Sequence, residues 1–197
     1  MASVEHAGQA QAILDFWFGA PGTPEYAGPR GIWFKKNKDF DEAIRAAHME
    51  DYERARDDLY DGWMREASTS LALVIALDQF PRNLFRDDPR TFAADVKALS
   101  VGLNAVNQDF DKALPPHQSI FFYLPFEHSE MLEVQMRCAD LIQAMPDFEL
   151  KEGYLGYALR HLEIIQRFGR FPHRNKILGR ESTPEEKEFL KQPNSGF

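Results

Sequence analysis

Residues 71–77 read Leu-Ala-Leu-Val-Ile-Ala-Leu, an apolar run of seven closed by Asp78. Carried on to Phe80, the stretch is apolar nearly all round a helical wheel, and a helix of that kind has no face to show to water. The rest of the chain has to surround it. The run is far shorter than the roughly 20 residues a membrane-spanning helix requires, so what surrounds it is protein. A chain of 197 residues is long enough to do this with one hydrophobic core, read here as a single all-α domain over residues 1–197.

Helical periodicity dominates elsewhere. In residues 91–106, Phe92, Val96, Leu99, Leu103 and Val106 recur at helical spacing behind Asp88 and Pro89 as N-cap and first helical residue. Residues 127–145 carry a stripe of Val134, Cys138, Leu141, Ile142 and Met145. Residues 153–168 have one face of Leu155, Leu159, Leu162 and Ile165, and a second of Tyr154, Tyr157, His161, Ile164 and Phe168. Shorter helices are expected over residues 9–18, 38–48, 51–60 and 184–191, the last with Thr183 and Glu186 as a capping box. Residues 120–124, between Pro116 and Pro125, suit a short helix or a strand. The sum is about eight or nine helices in antiparallel pairs. Residues 19–31, with four glycines and three prolines, form the longest loop, read first as a connector pinned by Trp33 and Phe34 and second as a lid.

Composition narrows the function classes. The net charge of −8 argues against wrapping nucleic acid or lying on an anionic membrane. One cysteine, Cys138, allows no internal disulfide and sits on an apolar stripe, which suits an inert core thiol. Residues 1–12 lack a basic leader segment, so a cytoplasmic location is expected. Aromatic residues are abundant, at 16 Phe, 6 Tyr and 3 Trp.

Familiar catalytic signatures are missing: no glycine-rich phosphate loop, no G-x-S-x-G elbow and no H-E-x-x-H. No cofactor is implied, and no spacing demands a metal site from His128, Glu130, His161 and His173. Two segments echo one another instead, Gln79-Phe80-Pro81-Arg82-Asn83 and Arg170-Phe171-Pro172-His173-Arg174-Asn175. Proline disfavours a helical residue before it, so each helix is expected to stop near the Phe, leaving a guanidinium and an amide just beyond a buried helix end. Asp78 and Glu127 fall on apolar stripes. Buried carboxylates need partners, and Arg82, Arg167, Arg170 and Arg174 are available as donors.

Two readings stay open. One is an internal ion-pair network that fixes helix packing, in a chain that serves as a protein-interaction scaffold. The other is a polar pocket for a small anionic ligand or an acidic peptide, lined by Arg82, Asn83, Glu127, His128, His161, Arg170, His173, Arg174 and Asn175. A hydrolase or transferase using Glu127 or His128 as general base is a further alternative, but no nucleophile accompanies it. Residues 160–180 reverse the global charge, with six basic residues against Glu163 alone. Nucleic acid is nonetheless disfavoured there, because Glu181, Glu185, Glu186 and Glu188 follow at once. Oligomeric state is not legible.

Residues 13–19 (Ile-Leu-Asp-Phe-Trp-Phe-Gly), 71–83, 125–130 (Pro-Phe-Glu-His-Ser-Glu), 167–175 and 178–183 resemble the motifs of a bacterial family classed as domain of unknown function 924. The resemblance spans nearly the whole chain. It implies an all-α fold of the tetratricopeptide-like class, although no repeat of period 34 with matching residues is visible. Position 126 is Phe where that motif leads one to expect Leu. No catalytic residue follows from the resemblance.

Overall fold

The structure, a computed structural model, describes residues 4–193, 195 and 196. The first three positions of the leader segment lie outside the described residues. Regular structure among the described residues is all helix and helical turn, with no strand. None of their helices is long and apolar enough to cross a membrane. The chain divides into two compact units, residues 1–86 with 90–125, and residues 87–89 with 126–197.

The first unit holds α1 (Val4–Phe18), α2 (Lys38–Arg56), α3 (Ala67–Val74), α4 (Phe80–Leu84), α5 (Asp95–Asn107) and α6 (Pro116–Ser119). Its centre is the apolar run. Residues 71–77 and Phe80 are at most 1% exposed, with α1 and α5 packed on α3. A π-turn, Ile75–Gln79, joins α3 to α4, and the Phe80 amide donates to the Ile75 carbonyl five residues back. The chain therefore does not stop at the first Phe-Pro pair. Proline in an α-helix clashes with the carbonyl four residues earlier, and the wider turn just before Pro81 relieves that clash. Phe80 stays in the right-handed helical region despite the proline that follows it.

Two helices expected over 38–48 and 51–60 are one. No glycine or proline interrupts residues 38–56, and Phe40, Ile44, His48, Asp51, Tyr52 and Ala55 form a continuous buried stripe on α2. The Asn37 side chain caps it by accepting the Phe40 amide, 3.0 Å away. α5 also departs from its expected form. Pro89–Phe92 is a separate 3-10 turn, and the buried face is Ala98, Val101, Gly102 and Ala105, while Val96 is 85% exposed. Small side chains let this helix lie close against the buried run, and close approach outweighs the larger apolar residues on its other side.

α1 ends in Phe16-Trp17-Phe18, which enters an aromatic cluster with Trp33, Phe40, Phe80 and Phe121. Its last carbonyls would otherwise be orphaned. Arg30 Nη1 donates to the carbonyls of Phe16 and Trp17 at 2.8 Å each, and the Trp33 indole donates to that of Trp17 at 2.8 Å. The loop over residues 19–31 is thus tied down by Arg30 and Trp33. Phe34 is largely exposed, with one ring face stacked on Phe121.

The second unit contains α8 (Leu132–Ala144), α9 (Lys151–Phe168) and α10 (Pro184–Phe189), entered through α7 (Leu124–Glu127). α8 packs along α9. The buried face of α9 is Tyr154, Ala158, His161, Ile164 and Ile165, while Tyr157 and Leu159 lie exposed. Here the chain does break at its Phe-Pro pair. Gly169 takes φ 68° and donates to the Ile165 carbonyl, then Phe171 is extended before the 3-10 turn Pro172–Arg174.

Gly19 turns the chain out of α1 at φ 89°, and a β-carbon there would come within 2.6 Å of the Glu25 Cβ and 2.8 Å of the Thr23 Oγ1. Gly19→Ala should cost about 2–3 kcal/mol in urea unfolding, from backbone strain and steric overlap together. A change below about 0.5 kcal/mol would show that the loop relaxes freely.

Candidate functional site

Glu127 is buried, but not for the reason its spacing suggests. α7 ends at Glu127 and α8 begins only at Leu132, so Glu127 does not share the α8 stripe. The break is held by Gln135, whose amide donates to the carbonyls of Glu127 (2.5 Å) and Ser129 (2.6 Å). Around the Glu127 carboxyl stand His161, Cys138 and Tyr154. His161 Nδ1 lies 3.1 Å from its Oε1 and 2.9 Å from the Tyr157 carbonyl oxygen. Two acceptors on one nitrogen require the proton to be on Nδ1, which leaves the lone pair on Nε2. Burial and the neighbouring carboxyl push the Cys138 thiol well up, and the Tyr154 hydroxyl up to about 12. Cys138 is therefore a protonated core thiol.

Phe171 is the hub of the cluster. His161 meets its ring edge-on with centroids 5.4 Å apart, His173 lies 5.6 Å away, and the Arg174 guanidinium sits over the ring at 4.4 Å. His128 faces His161 at 6.5 Å. The Phe171 main chain is gripped at both ends. Its amide donates to Glu130 Oε1 at 2.8 Å, and its carbonyl accepts from Arg180 Nη2 at 3.1 Å. Glu130 and Arg180 are themselves joined by two hydrogen bonds of 2.7 and 3.0 Å. Burial is the first cause that holds the His161 pKa down to about 3, and His128, Arg174 and His173 add to it. His173 is held down to about 4 by burial, then by Arg174.

The second unit thus brings together Glu127, His128, His161, His173 and Arg174. Arg170 and Asn175 serve a neighbouring knot. Arg170 makes a two-pronged pair with Glu186 at 2.6 and 2.8 Å, and Asn175 donates to Glu186 at 3.2 Å and to the Ser182 hydroxyl. Glu186 also closes the expected capping box with Thr183. The Arg170 hydrogen bonds, more than any other cause, hold its carboxyl down to about 2.

Arg82 and Asn83 belong to the first unit. Arg82 Nη1 donates to the Asp78 carbonyl at 2.8 Å and to Asp95 at 2.9 Å, and Asn83 donates to the Gln79 carbonyl at 3.0 Å. Both side chains thereby bind the main chain of the π-turn. A polar knot that the sequence does not announce lies in the same unit. Asp51 accepts from Gln9 at 2.7 and 2.9 Å and from the Tyr60 hydroxyl at 2.9 Å, and it meets His48 Nδ1 at 2.8 Å. The three-residue spacing of His48 and Asp51 is the available signal, and it is obscured when α2 is taken as two helices.

No group of three or more His, Cys, Asp or Glu among the described residues is placed to hold a metal ion. A shallow groove of about 480 Å³ runs along α9 and α10, between Leu159, Ile164, Phe168 and Phe189, with Arg160, Glu163 and Arg167 at its sides.

Two measurements check these assignments. Nitrogen-15 NMR of the imidazoles should show His161 as the neutral Nδ1–H form from pH 8 down to pH 5. Because its folded pKa lies below the unfolded 6.5, the unfolded chain takes the proton first, and stability falls as pH drops from 6.5 towards 3. For Glu186 the folded pKa is also depressed, but for a carboxylate, so its contribution is present at neutral pH and lost as pH falls from 4.5 towards 2. Glu186→Gln should lower stability at pH 7 by roughly 1–3 kcal/mol and flatten the loss over that acid window. An unchanged acid profile would show the pair with Arg170 to be solvated.

Residues 13–194 match the family DUF924, described as bacterial protein of unknown function. A solved structure, of a protein of unknown function from Agrobacterium tumefaciens, is 40% identical and superposes with a TM-score of 0.84. The match covers 95% of this chain and 99% of that one. No curated protein matches. With a family match over nearly the whole chain and a structural relative of similar length, the chain belongs to the DUF924 family of bacterial proteins.

Proposed function

We propose that the chain binds a small anionic ligand, a phosphate or carboxylate compound, at the cluster of His128, His161, His173 and Arg174 around the Phe171 ring. The single observation that carries this reading is the arrangement on Phe171. A guanidinium over one face and two imidazoles at its edge and side converge where Glu130 and Arg180 hold the main chain rigid. A preorganised cationic group on an apolar floor is a recurrent way to hold an anion, because little ordering is left to pay for on binding.

The chemistry of each group fits a division of roles. Arg174 supplies permanent charge. His161, neutral with its Nδ1–H directed to Glu127 and Tyr157, stands edge-on to the Phe171 ring as a wall of the site. His173 lies 5.6 Å from the Phe171 ring and His128 lies 6.5 Å from His161, so both stand beside the same floor. Binding is favoured over a hydrolase or transferase built on Glu127 or His128. The Glu127 carboxyl is already committed to His161, and the only thiol in the chain, on Cys138, is held protonated in the core.

Thermal-shift measurement against inorganic phosphate and short dicarboxylates tests this. At about 100 times the dissociation constant, binding stabilises by about 2.7 kcal/mol, which for a chain of this size is a rise of roughly 5–10 °C. The rise should vanish in Arg174→Ala and shrink in His173→Ala, with circular dichroism confirming that both variants fold. An equal rise in the wild type and in Arg174→Ala would put the anion elsewhere, and no rise with either anion class would end the proposal.

A further inference from the structure

The groove between α9 and α10 shares no residue with the Phe171 cluster. Its floor includes Ile164, Phe168 and Phe189, and Leu159 at its edge is 49% exposed. Along the α9 side stand Gly156, Arg160, Glu163 and Arg167, whose spacing of four, three and four residues places them on one edge of the helix. The rim therefore reads open, positive, negative, positive. Arg167 is fixed there, with its guanidinium over the rings of Phe168 at 4.7 Å and Phe189 at 5.9 Å, and its Nε donates to Glu185 at 2.9 Å. Gly156 is exposed, and a β-carbon on it would meet nothing within 4 Å. Glycine inside a helix is unfavourable against alanine, and here it leaves the rim open to a close neighbour.

We propose that this rim and groove form a contact between two copies of the chain, with their α9 helices antiparallel about a two-fold axis. Such an axis brings one patch against itself, so each charge has to find its opposite on the same patch. With the axis between residues 160 and 163, Arg160 faces the partner's Glu163, and Glu163 faces the partner's Arg160. The same operation sets the open position at Gly156 against the partner's Arg167. A guanidinium has five donors, so partners within the chain exhaust neither arginine. The alternation of sign also decides against other occupants. An acidic segment laid along the rim meets Glu163 between the two arginines, and a basic one meets an arginine on either side, with like charges costly in both cases. A second copy running the opposite way avoids both. Leu159 and Phe168 add the apolar area that such a contact removes from water.

Sedimentation velocity at protein concentrations from micromolar to millimolar reads the association directly. The wild type should shift from monomer towards dimer over that range, and less so at high salt, which screens the rim pairs. Glu163→Arg and Arg160→Glu each oppose like charges across the axis, and each should weaken dimerisation by about tenfold or more. Mixed in equal amounts, the two variants restore both opposite pairs. The mixture should then associate about as strongly as the wild type, with circular dichroism confirming that each variant folds. A chain that stays monomeric throughout overturns the proposal and leaves the groove to a different partner. A dimer that both variants leave unchanged overturns it too, because the copies then meet by another face. Variants that fail alone and are not rescued by mixing show that positions 160 and 163 do not face one another, and the two-fold arrangement falls.

Discussion

A helix with no wet side must have its polar groups answered from within, and in the first unit that demand falls on the last turn of the apolar run. Asp78 is fully buried, accepts from the Gln79 side-chain amide at 2.6 Å, and has Arg82 at 3.5 Å. Arg82 carries the demand outwards to Asp95 at the start of α5, the helix whose small face lies against the run. Packing and charge are therefore settled by the same contacts. An Arg that binds both a π-turn carbonyl and the neighbouring helix fixes how closely α5 lies, and that distance is what the alanine and glycine face requires.

The second unit solves the same problem with aromatic and imidazole groups. Half of its six-residue basic run is paired within the unit: Arg167 with Glu185, Arg170 with Glu186 and Arg180 with Glu130. The local excess of positive charge that the sequence displays is thereby partly neutralised on folding. Arg174 is buried, with its guanidinium over the Phe171 ring.

Legibility in the sequence follows from how local each signal is. The Thr183–Glu186 capping box lies within one turn and is legible in full, as is the burial of residues 71–80. Glu127 is expected to be buried on a stripe that it does not in fact share; Gln135 breaks the helix by capturing two carbonyls, and one glutamine announces nothing of that kind from its spacing. The two Phe-Pro-Arg-Asn segments look alike in sequence yet fold differently. Gly169 offers a left-handed exit before the second, whereas the first has no such exit and absorbs its proline in a wider turn. The Asp51 knot draws on Gln9, His48 and Tyr60, and a contact across 42 positions leaves no local trace.

The wider turn also makes the first unit sensitive to chain length in a way that substitution does not reach. A π-turn is an α-helix holding one surplus residue, and each helical residue advances the direction of its side chain by about 100°. Ile75–Gln79 therefore works as a phase shifter between α3 and α4. Losing Ile75, Ala76 or Leu77 would leave the run before Asp78 apolar and buried in kind, yet would rotate α4 and take the Arg82 guanidinium off Asp95. The arithmetic of the run, rather than the identity of its leucines and valines, is what keeps its two ends in register.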